Sequence, residues 1–245
     1  MNKKGLVVAV ILLFIGMSVV PSIESAKPEE YIKGENSLFN HLMFLNQDPP
    51  CYPIFNGTQG DNGIFITPVN VTFIFDPEIV AEIYYKIGDG IWILYTEPFV
   101  IYEQGDIGLY WYCIDFDGNV SKELFCSVRI DYSKPELSLI IPEKGGFYLF
   151  GKKLFKIGNI TPMLIGKNSI EVFASDTFSG IKNVSFSLVK NSKPPETYIS
   201  EIPPYVWELT GRHIGKYTLT VTAYDFGGLS VNTTINMIIL QFGIL

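Results

Sequence analysis

The chain has 245 residues, 47% hydrophobic, 14% aromatic and only 18% charged, with a formal net charge of -7. Five Ala stand against 31 Ile, 17 Val, 13 Thr, 18 Phe and 14 Tyr, a balance that favours strand over helix. With 22 Gly and 15 Pro for turns, it excludes collagen, coiled coil and disorder. No run of Lys or Arg exceeds two, so nucleic acid is excluded as a partner.

Met1-Asn2-Lys3-Lys4 is followed by an uncharged, apolar run from Gly5 to Val20 and then by Pro21. This is the build of a secretory signal peptide over residues 1–26, with cleavage after Ser25 or Ala26. An uncleaved anchor is the other reading, although the run is shorter than the roughly 20 residues a spanning helix needs. Membrane contact is expected only through such an anchor, and the protein is expected to be secreted or held in the cell envelope.

Residues 27–46 read as a polar N-terminal extension with one short helix at Ser37–Leu45. Strands are expected from Ile64 to Phe75, Ile79 to Ile87, Ile91 to Leu94, Phe99 to Tyr102, Leu109 to Asp115 and Glu123 to Asp131, divided by turn residues such as Asp76-Pro77 and Asp117-Gly118-Asn119. A second series runs through Leu137–Ile141, Phe147–Phe150, Leu154–Ile157, Ser169–Ser175, Val184–Lys190, Tyr205–Leu209, Tyr217–Tyr224 and Ser230–Leu240. Short strands at this spacing predict an all-β fold of two tandem immunoglobulin-like β-sandwich modules.

An internal echo supports the division. Ile107-Gly108 leads through a strand to Asp115-Phe116-Asp117-Gly118, and Ile214-Gly215 leads likewise to Asp225-Phe226-Gly227-Gly228. Asp48-Pro49-Pro50 and Asp131-Tyr132-Ser133-Lys134-Pro135 mark module starts, so the domains are expected at residues 47–135 and 136–245.

Six Asn-x-Ser/Thr sequons, at Asn56, Asn70, Asn119, Asn159, Asn183 and Asn232, exceed the roughly two that composition gives by chance. In an exported chain they are glycosylation candidates. Asn70, Asn183 and Asn232 also take the outward parity of alternating strands. Three Cys allow one internal disulfide. Cys113 and Cys126 stand equidistant from the turn at Asn119-Val120 and are the first candidate pair; a bridge from Cys51 to either, or three free thiols, remain open.

Little in the chain points to chemistry. His41 and His213 are the only imidazoles, and neither lies in a nucleophile context. The pairs Asp115 with Asp117 and Glu29 with Glu30 could serve a glycosidase, but the first sits where a tight turn wants Asp. Asp115, Asp117 and Asn119 alternate as in a calcium loop, yet Gly comes fourth instead of sixth and Cys126 occupies the twelfth place, so this is no EF-hand. A looser calcium site would use Asp131 and Asp176 at the module junction, weighed against a plain hairpin turn. No catalytic, cofactor or metal residue is assigned. Trp92, Tyr95, Tyr205 and Trp207 fit a sandwich core better than a sugar-stacking platform.

Gly60-Asp61-Asn62-Gly63-Ile64-Phe65-Ile66, Tyr85 to Trp92, Tyr95 to Phe99, Asp115 to Asn119 and Asp131 to Pro135 occur in an order that resembles the OmpL-type β-domain of bacterial and archaeal cell-surface proteins. From Pro142 onward, Gly166-Lys167, Ala174-Ser175-Asp176, Pro204 to Trp207 and Ala223-Tyr224-Asp225 resemble immunoglobulin-like modules of archaeal surface proteins. Gly227-Gly228-Leu229 departs from the usual Gly-Asn after the Asp, so no role for that Asn carries over. The resemblance implies a noncatalytic, exported cell-surface protein whose modules act as spacer or adhesion units toward surface proteins or glycans. A carbohydrate-binding accessory module is the alternative.

Overall fold

The computed structural model describes residues 51–191 and 193–243. The expected signal peptide, the extension with its helix at Ser37–Leu45, Asp48-Pro49-Pro50 and His41 lie outside the described residues.

The first seven strands are β1 (Cys51–Asn56), β2 (Val69–Phe75), β3 (Val80–Ile87), β4 (Ile93–Leu94), β5 (Phe99–Ile101), β6 (Gly105–Asp115) and β7 (Leu124–Ile130). They form a three-stranded sheet, β1-β2-β5, facing a four-stranded one, β4-β3-β6-β7. Alternation builds the core between them: Val69, Val71 and Phe73 from β2 meet Leu109, Trp111 and Cys113 from β6, all buried, while Asn70 between its two valines is exposed. Each large apolar side chain so buried contributes about 1.5–3 kcal/mol.

The second sandwich comprises β8 (Glu136–Ile141), β9 (Gly146–Leu149), β10 (Lys152–Lys156), β11 (Met163–Ile165), β12 (Ser169–Ser175), β13 (Ile181–Val189), β14 (Glu196–Ser200), β15 (Tyr205–Glu208), β16 (His213–Asp225) and β17 (Ser230–Gln241). Strands β15-β12-β8 form its small sheet, and β10-β9-β11-β17-β16-β13-β14 its large one. Its core is separate from the first, with Tyr217, Leu219, Val221 and Ala223 of β16 packed against Phe186, Trp207 and Ile239. The fold is therefore all-β, two tandem immunoglobulin-like sandwiches, with residues 131–135 between β7 and β8.

Three strands escape the hydrophobic pattern. β1 carries Pro53, which an edge strand tolerates because one side of it makes no ladder bonds, and β1 pairs only with β2. β14 follows Pro194-Pro195 and is the other kind of edge, pairing with β13 alone. β11 is three residues long and runs parallel between β9 and β17. Conversely, residues 64–68 stand apart from β2: Phe65 is buried and bridges Gln59 and Ile130, and Pro68 lacks the N–H to extend the strand.

The disulfide joins Cys51 to Cys113, with Cα atoms 6.5 Å apart, which corrects the favoured pairing of Cys113 with Cys126. The turn is not symmetric about Asn119-Val120. The hairpin turns about Asp117: Ile114 bridges Val120, Ser121 N–H donates to Cys113 O at 2.9 Å, and Leu124 then pairs with Trp111. Cys126 thereby falls opposite Leu109, four residues or about 13 Å down β6 from Cys113. The bridge instead links the two sheets, beside Trp111, whose Nε1–H donates to Cys51 O at 3.2 Å. Cys126 is a free, half-buried thiol that burial pushes up to about 12.

Candidate functional site at the module junction

The two sandwiches meet through their loops. The turn at Asp61–Gly63 leans on the β16–β17 turn: Asp61 N–H donates to Gly227 O at 2.8 Å and Asn62 Nδ2–H to Phe226 O at 2.9 Å. Lys182 of β13 pairs with Asp61 at 3.0 Å, and Arg129 Nη2 donates to Asn62 O at 2.6 Å. The linker is tied back to the first sandwich, with Tyr132 N–H on Gln104 Oε1 at 2.7 Å and Tyr132 Oη–H on Tyr102 O at 2.7 Å.

The β6–β7 and β16–β17 turns are built alike. Asp115 N–H donates to Asn119 O at 3.0 Å and Asp225 N–H to Leu229 O at 3.1 Å; Gly118 and Gly228 N–H groups return to the Asp carbonyls at 3.1 and 3.3 Å. Both glycines have left-handed φ, 83° and 89°, which the turn demands. Each Asp accepts on Oδ1 the N–H four residues on, at 2.7 Å from Asn119 and 2.8 Å from Leu229. The second oxygens differ. Asp115 Oδ2 accepts from Asn119 Nδ2–H at 2.8 Å, which with the backbone bonds holds its carboxyl below the usual range. Leu229 has no such group, and Asp225 Oδ2 is buried with no hydrogen-bond partner among the described residues.

Asp225 is fully buried, and burial first, with Asp131 and Asp176 adding like charge, pushes its carboxyl up against the opposing bond from Leu229 N–H. Asp131 is 1% exposed, at the end of β7; Asp176 is half-buried in the β12–β13 turn. One oxygen from each of the three lies within 4.8 Å of the others. Asp131 accepts Ser133 N–H on Oδ1 at 3.0 Å and, across the junction, Ser179 N–H on Oδ2 at 3.1 Å. Asp176 gathers Phe178, Ser179 and Gly180 N–H groups on Oδ1 at 3.0, 2.9 and 2.9 Å. Among the described residues, no Lys, Arg or His forms an ion pair with any of the three. The Asp225 turn also borders a cleft of about 450 Å³ lined by Asp61, Lys182, Asn183, Tyr224 and Gly228.

Asp131 and Asp176 are the pair that the sequence suggests for a loose calcium site; Asp225 stands in the sequence in the turn echo and in the Ala223-Tyr224-Asp225 resemblance, without a ligand role. The signal was the missing Asn: a turn-forming Asp without its amide partner.

The other singled-out residues fall elsewhere. Asp117 N–H donates to Asp115 Oδ1 at 2.9 Å, so those two act as turn formers. Among the sequons, Asn56, Asn70, Asn119, Asn159 and Asn232 are exposed, and Asn183 is half-buried on the cleft wall. Asn56 and Asn70 are direct cross-strand partners. Tyr205 and Trp207 are buried in the second core, while half-buried Trp92 packs edge-on to Tyr112 at 4.7 Å under Lys86 and Tyr95 packs on Phe73. The four rings thus belong to two separate sandwiches. His213 pairs through Nε2 with Glu196 at 2.9 Å, but no hydroxyl or thiol among the described residues reaches its buried Nδ1.

No family model matches the chain, and no curated protein matches it. Among solved structures it is similar to fibronectin(III)-like modules of Clostridium thermocellum CbhA, at 16% identity and a TM-score of 0.34, covering 78% of this chain and 95% of that one. It is also similar to Drosophila N-cadherin EC1-3, at 17% identity and a TM-score of 0.28, over 80% of this chain and 69% of that one. A tetra-tandem repeat from the extending region of a large adhesion protein matches at 15% identity and a TM-score of 0.32, over 76% of this chain and 50% of that one.

Proposed function

We propose that the protein is a noncatalytic, exported cell-surface module pair that acts as a spacer or adhesion unit toward surface proteins or glycans. The observation that carries this is the bonded junction. Backbone and side-chain bonds from Asp61, Asn62 and the linker hold two separately cored sandwiches in register, as a presenting element requires. The organisation that goes with it is a signal peptide over 1–26, an extension over 27–46, an OmpL-type module over 47–135 and an immunoglobulin-like module over 136–245, with glycans on the exposed sequons. An archaeal cell surface suits that combination of export and N-glycosylation. Cell fractionation with intact-mass measurement of the native protein tests the reading. A chain in the envelope or medium, shortened at about residue 26 and heavier by whole glycans, is expected; an unmodified cytoplasmic chain beginning at Met1 overturns it.

A further inference from the structure

We propose that Asp131, Asp176 and Asp225 together bind a calcium ion at the junction of the two sandwiches. Three acidic side chains converge from three segments, the end of β7, the β12–β13 turn and the end of β16, with an oxygen of each within 4.8 Å of the others. Acidic clusters are common without a ligand; the deciding feature is Asp225 Oδ2. It belongs to a fully buried side chain and has no hydrogen-bond partner among the described residues, and its carboxylate is one of the three that converge here. A buried carboxylate oxygen left bare is costly unless a charge of opposite sign meets it.

The matching turn of the first sandwich serves as an internal control. There the same oxygen of Asp115 is closed by the Asn119 amide, and the turn lies at the exposed end of a hairpin. In the second sandwich Leu229 replaces that amide, the freed oxygen is buried away from solvent, and the carboxylate that carries it stands with two further carboxylates. The donor set is all oxygen and carries up to three negative charges, which selects a hard divalent cation. Two oxygens on opposite sides of calcium, each roughly 2.3–2.6 Å away, are about 4.6–5.2 Å apart, so donors within 4.8 Å of one another suit it. The backbone bonds on Asp131 and Asp176 fix those carboxylates before the ion arrives. Because Asp131 comes from the first sandwich and the other two from the second, the ion would clamp the junction.

A proton on Asp225 is the competing occupant, and the binding does not rest on the surface-spacer reading. Calcium titration of the full-length chain, stripped with EDTA and dialysed, separates the two by calorimetry and thermal melting. One calcium per chain is expected, with a dissociation constant of about 10⁻⁴ to 10⁻³ M and a rise in Tm on saturation. Leu229→Asn restores the amide that Asn119 supplies in the other turn, and it should keep the fold while weakening calcium at least about tenfold; Asp225→Asn should do the same. Asp117→Asn, on the exposed turn, should bind as the parent does. Absence of both heat and Tm change at about 10 mM calcium, or undiminished binding in both Leu229→Asn and Asp225→Asn, overturns the proposal.

Discussion

Asp115 and Asp225 close equivalent turns in successive sandwiches, and only Asp115 has an amide, that of Asn119, on its second carboxylate oxygen. The consequence is a pH dependence with an unusual sign. The folded state raises the Asp225 carboxyl, so folded protein holds a proton that unfolded chain has released. Stability from this group is full below the unfolded value and is lost as pH rises through the folded one. The groups facing it are Asp131 from the end of β7, Asp176 from the β12–β13 turn and Leu229 N–H from its own turn, with the Asp61–Lys182 pair beside them. In EDTA, Asp225→Asn should therefore stabilise the protein at pH 7 by about 1–3 kcal/mol and flatten its acid-side pH profile. Urea unfolding from pH 4 to pH 8 reads this, and a destabilised variant at pH 7 counts against it.

Gly60 packs so closely on the opposite module that an added Cβ would collide with the Gly227 carbonyl and meet Ile66 Cγ2 at 2.7 Å. Gly60→Ala should open the junction, costing about 1–3 kcal/mol, and speed proteolysis within residues 131–135. Both cores should stay folded by near-ultraviolet dichroism. An unchanged cleavage rate would show that the junction gives way easily.

Removing the Cys51–Cys113 bridge by the double Ser variant should cost about 2–4 kcal/mol in urea unfolding. Cys126 should behave oppositely. With its thiol pushed up to about 12, it carries roughly a thousandth of the thiolate of an ordinary Cys at pH 8. Iodoacetamide should leave native protein unlabelled over the time that denatured protein takes up one label.

Trp207→Ala should destabilise by about 3–5 kcal/mol, since its ring is 6% exposed and packs on Phe186 and Tyr198. Trp92→Ala, at a half-buried site, should cost less than about 1.5 kcal/mol. If Trp92→Ala kept its stability yet abolished retention on a glycan array, the carbohydrate-binding alternative would gain over the spacer reading.

The sequons divide by exposure. Intact mass of protein from its native source should fall by one glycan in Asn232→Gln and stay unchanged in Asn183→Gln, whose side chain is half-buried in the cleft wall. Loss of a glycan from Asn183 would mean that the cleft is open while the chain is being modified.

Much of the architecture was legible because it rests on period-two alternation. Val69 to Phe73 and Tyr217 to Ala223 declare which face is buried with no help from distant residues. Strands β1, β11 and β14 were not legible, since Pro53 and a three-residue length hide the alternation and pairing alone makes them strands. The disulfide expectation fails on register: the hairpin turns about Asp117, with Ile114 opposite Val120, and not about Asn119-Val120, so Cys126 pairs with Leu109 and not with Cys113. The junction cluster was half legible. Asp131 and Asp176 stood at an expected seam, but only the folded β16–β17 turn brings Asp225 beside them.

Cys51 and Cys113 also decide how far the first sandwich can be drawn out by a pull on its ends. Force entering at β1 passes through the bridge directly to β6, so the loop between them stays slack however hard the chain is pulled. The 62 intervening steps, about 210 Å of extended chain, are withheld. Only the stretch from Ile114 to Ile130, roughly 60 Å, is left for the first sandwich to release. The first sandwich is thus a short-travel link, and the bridge-free second sandwich is where length under strain would be gained.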